Sequence, residues 1–415
     1  MTTTTPTGAS AVLDPATVRA SFPGLATEWA LFDNAGGSLP CRGVIDRVAD
    51  YMSRRCVQLG ASYAQSVEAT AAVDAGRRAV AQLVNAERDE IVLGASSSMH
   101  VRTLAAALRP QLAPGDEVIV TSLDHASNRT AWRALAEHGV VVREWPFDAR
   151  SLSLELDGLE PLLGPRTRLV CFTHCSNIVG TVQDAARIVA RVHAAGALAC
   201  VDGVAFAPHR RVDVKALDAD FYFATLYKVF GPHTAFLFGR RELLRAARNQ
   251  NHEFFAETDV PGKLEPGGPP HELAAALPGI VEHLESLDDG PSDRPSQAKL
   301  DRAFERIAAT EAALVAPLLD FLERHPRTHI VGSSSASDAA RVPTVAFTVD
   351  GRKASEIPPL LDRRKVAVRW GHFYARRLIE DLGLLERDGV VRASLAHYNT
   401  PDEVARLVDA LDEVL

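Results

Sequence analysis

Between residues 88 and 240, short apolar runs alternate with stretches in which apolar positions recur at helical spacing. The runs are rich in β-branched and aromatic residues and stop at a Gly, a Pro or a polar residue, which predicts strands. They are Glu90–Leu93, Glu117–Thr121, Val140–Glu144, Arg168–Thr173, Leu198–Asp202, Phe221–Thr225 and Thr234–Phe238. Helical patterns such as Ala131–Glu137 and Ala186–Ala195 separate them. The alternation predicts an α/β fold with a mainly parallel seven-stranded sheet and helices on both faces.

The flanking regions predict a second domain. A Pro- and Gly-rich stretch at 260–270 marks a boundary. Long helices are predicted before it, at 44–58 and 67–84, and after it, at 272–287, 298–325 and 401–415. Strands are predicted at 344–349 and 366–369. We therefore expect a disordered tail at 1–20, a large domain at 21–270 whose first residues pack with the small domain, and a smaller α+β domain at 271–415.

Composition narrows the class of partner. The net charge of -8 argues against nucleic acid as the main partner. No uninterrupted apolar stretch is long enough to span a bilayer, and the Thr-rich start lacks the apolar segment of a secretory signal. The sequence therefore predicts a protein that binds neither nucleic acid nor a membrane.

The cysteines are few and form no Cys-x-x-Cys pair. They are Cys41, Cys56, Cys171, Cys175 and Cys200, so no cysteine follows residue 200. An odd, sparse set is typical of a reducing compartment, and we expect a cytoplasmic protein without disulfides.

One lysine and one aspartate suggest the chemistry. Asp202 ends one predicted strand, and Lys228 follows another by three residues. The carboxyl ends of strands in an open α/β sheet form the edge where ligands bind. Pyridoxal phosphate (PLP) needs this pair: a lysine for its aldehyde and a carboxylate for its pyridine nitrogen. Two solvated loop charges would give the same sequence, so the pair alone is weak evidence.

Polar residues follow three further strand ends. Ser96 and Ser97 open a predicted helix, and N–H groups at a helix start bind phosphate. His125 follows the strand ending at Thr121 and is suited to stack on a flat ring, while Asn177 is suited to donate to a phenolate oxygen. Each also has an ordinary use, as a helix cap or a turn residue. A suitable residue after any one strand end can occur by chance. Residues suited to four different parts of PLP after four strand ends are less expected by chance.

The ordered motifs resemble the class V aminotransferase family of fold type I PLP enzymes. They are Gly94-Ala-Ser-Ser, Asp124-His-x-x-Asn, Ser176-Asn-x-x-Gly-Thr, Val201-Asp-Gly and Asp220-Phe-Tyr-x-x-x-x-Tyr-Lys-x-x-Gly-Pro. The similarity is greatest to the cysteine desulfurase and selenocysteine lyase branch. It covers nearly the whole chain, from Leu31 to Thr400, and is more specific for family than for reaction.

The resemblance implies roles by position. Lys228 bonds the cofactor aldehyde and moves the substrate Cα proton, Asp202 pairs with the ring nitrogen and His125 stacks on the ring. Ser96, Ser97 and Thr225 hold the phosphate, and Asn177 contacts the ring hydroxyl oxygen. Arg392 clamps the substrate carboxylate, and Asn34 to Gly37 line the entrance. A homodimer with sites near its interface and an amino-acid substrate are also implied, and no metal.

The departures from the family matter for the reaction. Cysteine desulfurases carry a nucleophilic cysteine in a Gly-His-His-Cys-Ala type segment, where this chain has Gly371-His-Phe-Tyr-Ala375. Tyr374 therefore stands in the place of the cysteine. The usual Asp-Gly-Ala-Gln is Asp202-Gly-Val-Ala205, and the usual His before the lysine is Tyr227. The partner-subunit phosphate segment is changed to Glu265-Pro-Gly-Gly-Pro-Pro-His271, so Tyr227 or His271 is left to support the phosphate.

These observations predict a C–S or C–Se lyase that acts by β-elimination on a cysteine-type amino acid. Tyr374 and His372 are the candidate acids for the leaving sulfur. The alternative is a class V aminotransferase or epimerase with another substrate, since sequence does not place the returning proton. A desulfurase that uses another protein's cysteine ranks lower, and so does a PLP-fold scaffold without turnover.

Overall fold

The computed structural model describes residues 12–337 and 339–415. Its strands are β1 (Ala30–Leu31), β2 (Ile91–Gly94), β3 (Glu117–Thr121), β4 (Val141–Trp145), β5 (Thr167–Thr173), β6 (Leu198–Asp202), β7 (Phe221–Thr225), β8 (Ala235–Gly239), β9 (Thr328–Val331), β10 (Thr344–Val349), β11 (Val366–Ala367), β12 (Arg369–Gly371) and β13 (Val390–Ser394). Its helices are α1 (Pro15–Arg19), α2 (Arg42–Arg54), α3 (Ala64–Val84), α4 (Ser97–Leu108), α5 (Ala126–Arg133), α6 (Leu156–Leu159), α7 (Ala185–Ala194), α8 (Arg241–Ala246), α9 (His271–Ala275), α10 (Pro278–Glu285), α11 (Ser296–Arg324), α12 (Pro358–Leu361), α13 (Arg376–Asp381) and α14 (Pro401–Val414).

A seven-stranded sheet forms the centre of the molecule, in the order β2-β8-β7-β6-β5-β3-β4. The strands from β7 to β4 run parallel to their neighbours, while β8 is antiparallel to both β2 and β7. Parallel sheets need apolar residues on both faces because helices cover each side. The predicted α/β class with a mainly parallel seven-stranded sheet is confirmed, and every predicted strand of this sheet is present.

A second, four-stranded antiparallel sheet lies toward the C-terminus, in the order β12-β13-β10-β9. Its strands share a separate apolar core with α11 and α14. The sequence predicted β10 and part of β11–β12 but missed β9 and β13. The strand β1 pairs with β11 in a separate two-stranded sheet, and Ala30 shares the apolar core of the C-terminal part of the chain.

After residue 270 the short helices α12 and α13 were not predicted, and one predicted helix is divided. The single helix predicted at 272–287 is two helices, α9 and α10, and Pro278 stands at the first position of the second. Proline lacks the N–H that would continue the first helix, but its fixed φ suits a helix start. Both helices pack on α2 and α3. Residues 271–285 therefore contact the large part of the molecule, although the predicted division places them in the small domain.

The N-terminal residues also require a correction. Residues 1–11 of the predicted disordered tail lie outside the described residues, but Pro15–Arg19 is a helix capped by Asp14. Val18 is buried, and Arg19 donates to the Tyr398 carbonyl and to Glu403. These contacts hold in place a segment that we expected to be disordered. Among the helices described, none is long and apolar enough to cross a membrane.

Candidate active site

Three neighbouring strands end at one edge of the central sheet. The strands β5, β6 and β7 end at Thr173, Asp202 and Thr225, and Thr173 lies beside Asp202 in the parallel register. A short 3-10 helix follows β7 and carries Lys228. The side chains at these strand ends line a small cavity, which we call the inner cavity. All eight residues predicted to hold the cofactor line it: Ser96, Ser97, His125, Asn177, Asp202, Thr225, Tyr227 and Lys228.

Lys228 is buried in this cavity. Loss of hydration lowers the pKa of its amine to about 8, helped by the positive charge of Arg392 and opposed by Asp202. A lysine must be neutral to attack an aldehyde, so this environment favours the reactive form.

Asp202 is also buried and lines the inner cavity. Burial raises the pKa of its carboxyl to about 6, which leaves it charged at neutral pH. The N–H of Val204 donates to Oδ1 at 2.9 Å, and no described residue donates to Oδ2. A buried carboxylate with one free oxygen is suited to accept a hydrogen bond from a protonated pyridine nitrogen.

His125 is held as a neutral imidazole. Burial lowers its pKa to about 4, and the charges of Lys228 and Arg392 act in the same direction. Its Nδ1 accepts from the N–H of Ser127 at 3.2 Å and lies 2.8 Å from the Ser127 hydroxyl. An uncharged ring, fixed by a cap at the start of α5, is suited to stack on a flat ligand.

A phosphate can be held at the start of α4. Ser96 caps this helix by accepting from the N–H of Met99, and Ser97 is its first residue. The hydroxyl of Thr225 faces the same cavity and is buried; it makes no well-formed hydrogen bond with a described residue, although the Tyr227 hydroxyl is close enough to interact with it. A buried hydroxyl without a well-formed hydrogen bond is rare and calls for a ligand atom. The helix start, this hydroxyl, Lys228 and Asp202 together fit pyridoxal phosphate.

Asn177 and Tyr227 line the inner cavity and also contact residues outside it. The Asn177 side chain donates from Nδ2 to the carbonyl of Phe373 at 2.9 Å, so it joins the sheet edge to the C-terminal part. The Tyr227 ring stacks on His233 with centroids 4.8 Å apart. Asn177 thus has one amide hydrogen left for the predicted contact to a ring oxygen.

A larger cavity of about 410 Å³ opens outward from Lys228, and we call it the outer cavity. Arg392 lies in its wall on β13 and is 1% exposed. It donates from Nη1 to the Asn177 carbonyl at 2.9 Å and from Nη2 to Asp33 at 3.0 Å. Its buried Nε has no partner among the residues described. This unpartnered donor of the guanidinium is suited to bind a carboxylate.

Two of the predicted substrate residues lie elsewhere. The Asn34 side chain is buried and bonded to Leu31, Ser394, Asn399 and Tyr398, which leaves it no free group. Its neighbours Ala35 and Gly36 line the outer cavity instead. His372 lies on an adjoining side cavity, where its Nδ1 accepts from the N–H of Tyr374.

Tyr374 lines the outer cavity and is 66% exposed. Its ring lies 5.4 Å from that of His125. The sequence missed the participation of Asp33 and Arg369, because their proximity to Arg392 depends on strand pairing. Arg369 is opposite Arg392 in the β12–β13 register, and its guanidinium reaches Asp33 at 3.4 Å.

No thiol is available in the outer cavity. Cys175 reaches the inner cavity but is fully buried, and burial raises its pKa to about 12. Such a thiol is a poor nucleophile. Cys41, Cys171 and Cys200 are buried in the core, and exposed Cys56 lines neither cavity. No cluster of three or more metal-ligating side chains occurs within 12–337 and 339–415.

Comparisons with known proteins show the family to which the chain belongs. The model of the class V aminotransferase family matches residues 30–407. The aminotransferase-like protein FGM3 of Gibberella zeae is 39% identical over 96% of this chain and 98% of its own length. The cysteine desulfurase-like protein ustD of Aspergillus flavus is 34% identical over 97% of this chain and 91% of its own.

A solved structure extends the similarity to three dimensions. The cysteine desulfurase CsdA of Escherichia coli, in its S-sulfonic acid form, superposes with a TM-score of 0.83 and 30% identity. The match covers 97% of this chain and 98% of that one. The chain therefore belongs to the class V aminotransferase family and is a PLP-dependent, cysteine desulfurase-like enzyme.

Proposed function

We propose that the enzyme is a C–S or C–Se lyase that removes the β-substituent of a cysteine-type amino acid by elimination. The observation that carries the proposal is the outer cavity, which joins Lys228 and Arg392 but presents Tyr374 where desulfurases of the family place a cysteine. Without a thiol to accept sulfur, the sulfur leaves with its bonding electrons.

The chain's own residues account for the proton movements. The guanidinium of Arg392, with its unpartnered Nε, binds the α-carboxylate and places Cα near Lys228. When bound, PLP supplies an electron sink that makes the Cα–H acidic. The Lys228 amine, with its lowered pKa, takes that proton, and the Cβ–S bond then breaks. The unsaturated product hydrolyses to pyruvate and ammonia.

Tyr374 is the better candidate to protonate the leaving sulfur. Its ring borders the outer cavity, whereas His372 lines only the side cavity and supports the Tyr374 N–H. A positioned acid contributes about 10²-fold or more to a rate. We therefore expect Tyr374→Phe to lower kcat by about 10²-fold for substrates whose thiolate is a poor leaving group. Activity measured with cysteine thioethers tests this, and an unchanged kcat would remove Tyr374 from the mechanism.

The product distinguishes the candidate reactions. The PLP-loaded enzyme is incubated with cysteine, cystine and cysteine thioethers, and pyruvate and alanine are measured, with Lys228→Ala as the control. Pyruvate that is lost in Lys228→Ala supports elimination. Alanine means desulfuration with a sulfur acceptor from outside the chain. If neither forms, a 2-oxo acid or the D-enantiomer made from other amino acids supports transamination or epimerisation.

We propose further that the enzyme is a cytoplasmic homodimer. The five cysteines are all free, which is typical of a reducing compartment. Large apolar side chains are exposed on α2 and at the start of α3: Ile45, Met52, Tyr63 and Val67. Such side chains support an interface between copies of the chain.

A further inference from the structure

A strained segment in the C-terminal part of the chain lines the outer cavity. Phe373 and Tyr374, directly after β12, have φ values of 46° and 61°. Bulky residues rarely adopt this left-handed region, because the side chain approaches the following carbonyl. Two hydrogen bonds from the central sheet edge hold the conformation: Asn177 Nδ2 donates to the Phe373 carbonyl at 2.9 Å, and the Ala126 N–H donates to the Tyr374 carbonyl at 2.6 Å.

The strained conformation places the Phe373 ring on Arg392. The guanidinium carbon lies 3.8 Å from the ring centroid, and both side chains are buried, at 9% and 1% exposure. The family motif has a histidine at this position, where a second positive charge beside Arg392 would be possible. A phenyl ring instead attracts the cation through its negative face and excludes water from it.

The terminal nitrogens of the Arg392 guanidinium form hydrogen bonds within the protein, whereas its Nε does not. The Asn177 carbonyl and Asp33 take one hydrogen from each terminal nitrogen, and Phe373 covers the face. The buried Nε remains free on the edge. Because both terminal nitrogens are anchored and Phe373 covers one face, the guanidinium is held in a fixed plane. A carboxylate in that plane can form two parallel hydrogen bonds with the guanidinium.

We propose that Phe373 is a positioning residue that fixes the plane of the Arg392 guanidinium for the substrate carboxylate. The inference rests on the assignment of Arg392 to that carboxylate in the proposed function. It predicts that Phe373 acts on the binding of carboxylate-bearing ligands only.

L-alanine is the probe that tests the proposal, because it has the carboxylate but no leaving group at Cβ. The PLP-loaded enzyme is titrated with L-alanine and with L-alaninamide, and the change in cofactor absorbance gives the half-saturating concentration. We expect Phe373→Leu to raise that concentration for L-alanine by about 3- to 20-fold. Phe373→Tyr keeps the ring and should restore it. Binding of L-alaninamide should be the same in all three proteins.

The exposed Phe254 provides a matched control. Its side chain is 78% exposed and lines neither cavity, so Phe254→Leu should bind L-alanine as the parent does. An unchanged L-alanine titration in Phe373→Leu overturns the proposal, and so does equal weakening of both ligands or a failure of Phe373→Tyr to restore binding. The titration needs no turnover, so a failure to form pyruvate would refute the lyase proposal and leave this result standing.

Discussion

Burial shifts the pKa values of Lys228 and Asp202, both in the inner cavity, in opposite directions. The pKa of the Lys228 amine falls to about 8 and the pKa of the Asp202 carboxyl rises to about 6. Both shifts arise first from lost hydration, which disfavours the charged form of each group. The consequences differ. The lowered pKa gives Lys228 a reactive, neutral fraction near neutral pH, whereas Asp202 keeps its charge there.

The rate at which the apo-enzyme takes up PLP covalently should therefore depend on pH. Only the neutral Lys228 amine attacks the aldehyde, so the rate should rise about tenfold per pH unit below 8 and level off above it. Stopped-flow absorbance between pH 6 and 10 measures the profile. Lys228→Ala should show no covalent uptake at any pH. A midpoint near 10.5, the ordinary value for lysine, would contradict the effect of burial.

The Thr225 hydroxyl, which makes no well-formed hydrogen bond, allows a second prediction: its removal should weaken PLP binding but should not destabilise the apo-enzyme. Thr225→Val removes a phosphate contact, so PLP affinity should fall by about 10-fold. The apo-enzyme should be as stable as the parent or more stable, because the buried polar group that is lost makes no well-formed hydrogen bond. Equilibrium dialysis and apo-enzyme melting test the two parts.

Thr328 offers the matched control for that experiment. Its buried hydroxyl donates to the Leu322 carbonyl in the C-terminal part, far along the chain from the helix start at α4. Thr328→Val should lower stability and leave PLP affinity unchanged. A loss of apo-enzyme stability in Thr225→Val comparable to that of Thr328→Val would show that Thr225 has a structural partner.

At the scale of elements, the sequence predicted what local chemistry determines. Strands β6 and β7 end at the predicted residues, Asp202 and Thr225, because apolar runs stop there at a Gly and a short helix. Their side chains meet because parallel strands align their carboxyl ends. The missed strand β13 is a five-residue run interrupted by Arg392, whose burial depends on contacts from distant segments. Such tertiary pairing has no local pattern.

The segment at 265–271 shows the same limit. By its place in the chain it matches the family's partner-subunit phosphate segment, and the sequence alone assigns Glu265 no role. The structure instead pairs Glu265 with Arg77 on α3, buried and bidentate, at 2.5 and 2.9 Å. Glu265 also accepts from the Leu93 N–H at 2.6 Å. Its carboxylate thus fastens the segment to the strand that precedes the helix start at α4.

Breaking this buried pair should destabilise the protein strongly. Glu265→Gln leaves the Arg77 charge buried without a full partner, and we expect the free energy of unfolding to fall by about 3 kcal/mol. Glu265→Gln combined with Arg77→Met removes the charge and should recover most of the loss. Denaturant unfolding measures both. The surface pair Arg376–Glu380 is the control, since Glu380→Gln should cost less than about 1 kcal/mol.

At the scale of the whole molecule, the distribution of apolar surface favours assembly. Ile45 and Met52 are both exposed and are seven residues apart on α2, so they lie on one face of the helix. Single exposed apolar residues are ordinary, but a helix face with two large ones is typical of an interface. Val141 provides a contrast, because it is a single exposed apolar residue on the edge strand β4 of the central sheet.

Met52→Glu should therefore weaken the proposed homodimer. A carboxylate placed in an apolar interface loses its hydration without gaining a partner, so the dissociation constant should rise at least about 10-fold. Light scattering across a dilution series should give about twice 44.8 kDa for the parent and an earlier shift toward the single-chain mass for the variant. Val141→Glu adds the same charge on the edge strand β4 and should dissociate as the parent does. A parent that is monomeric at all concentrations would refute the dimer, while equal effects of both variants would place the interface elsewhere.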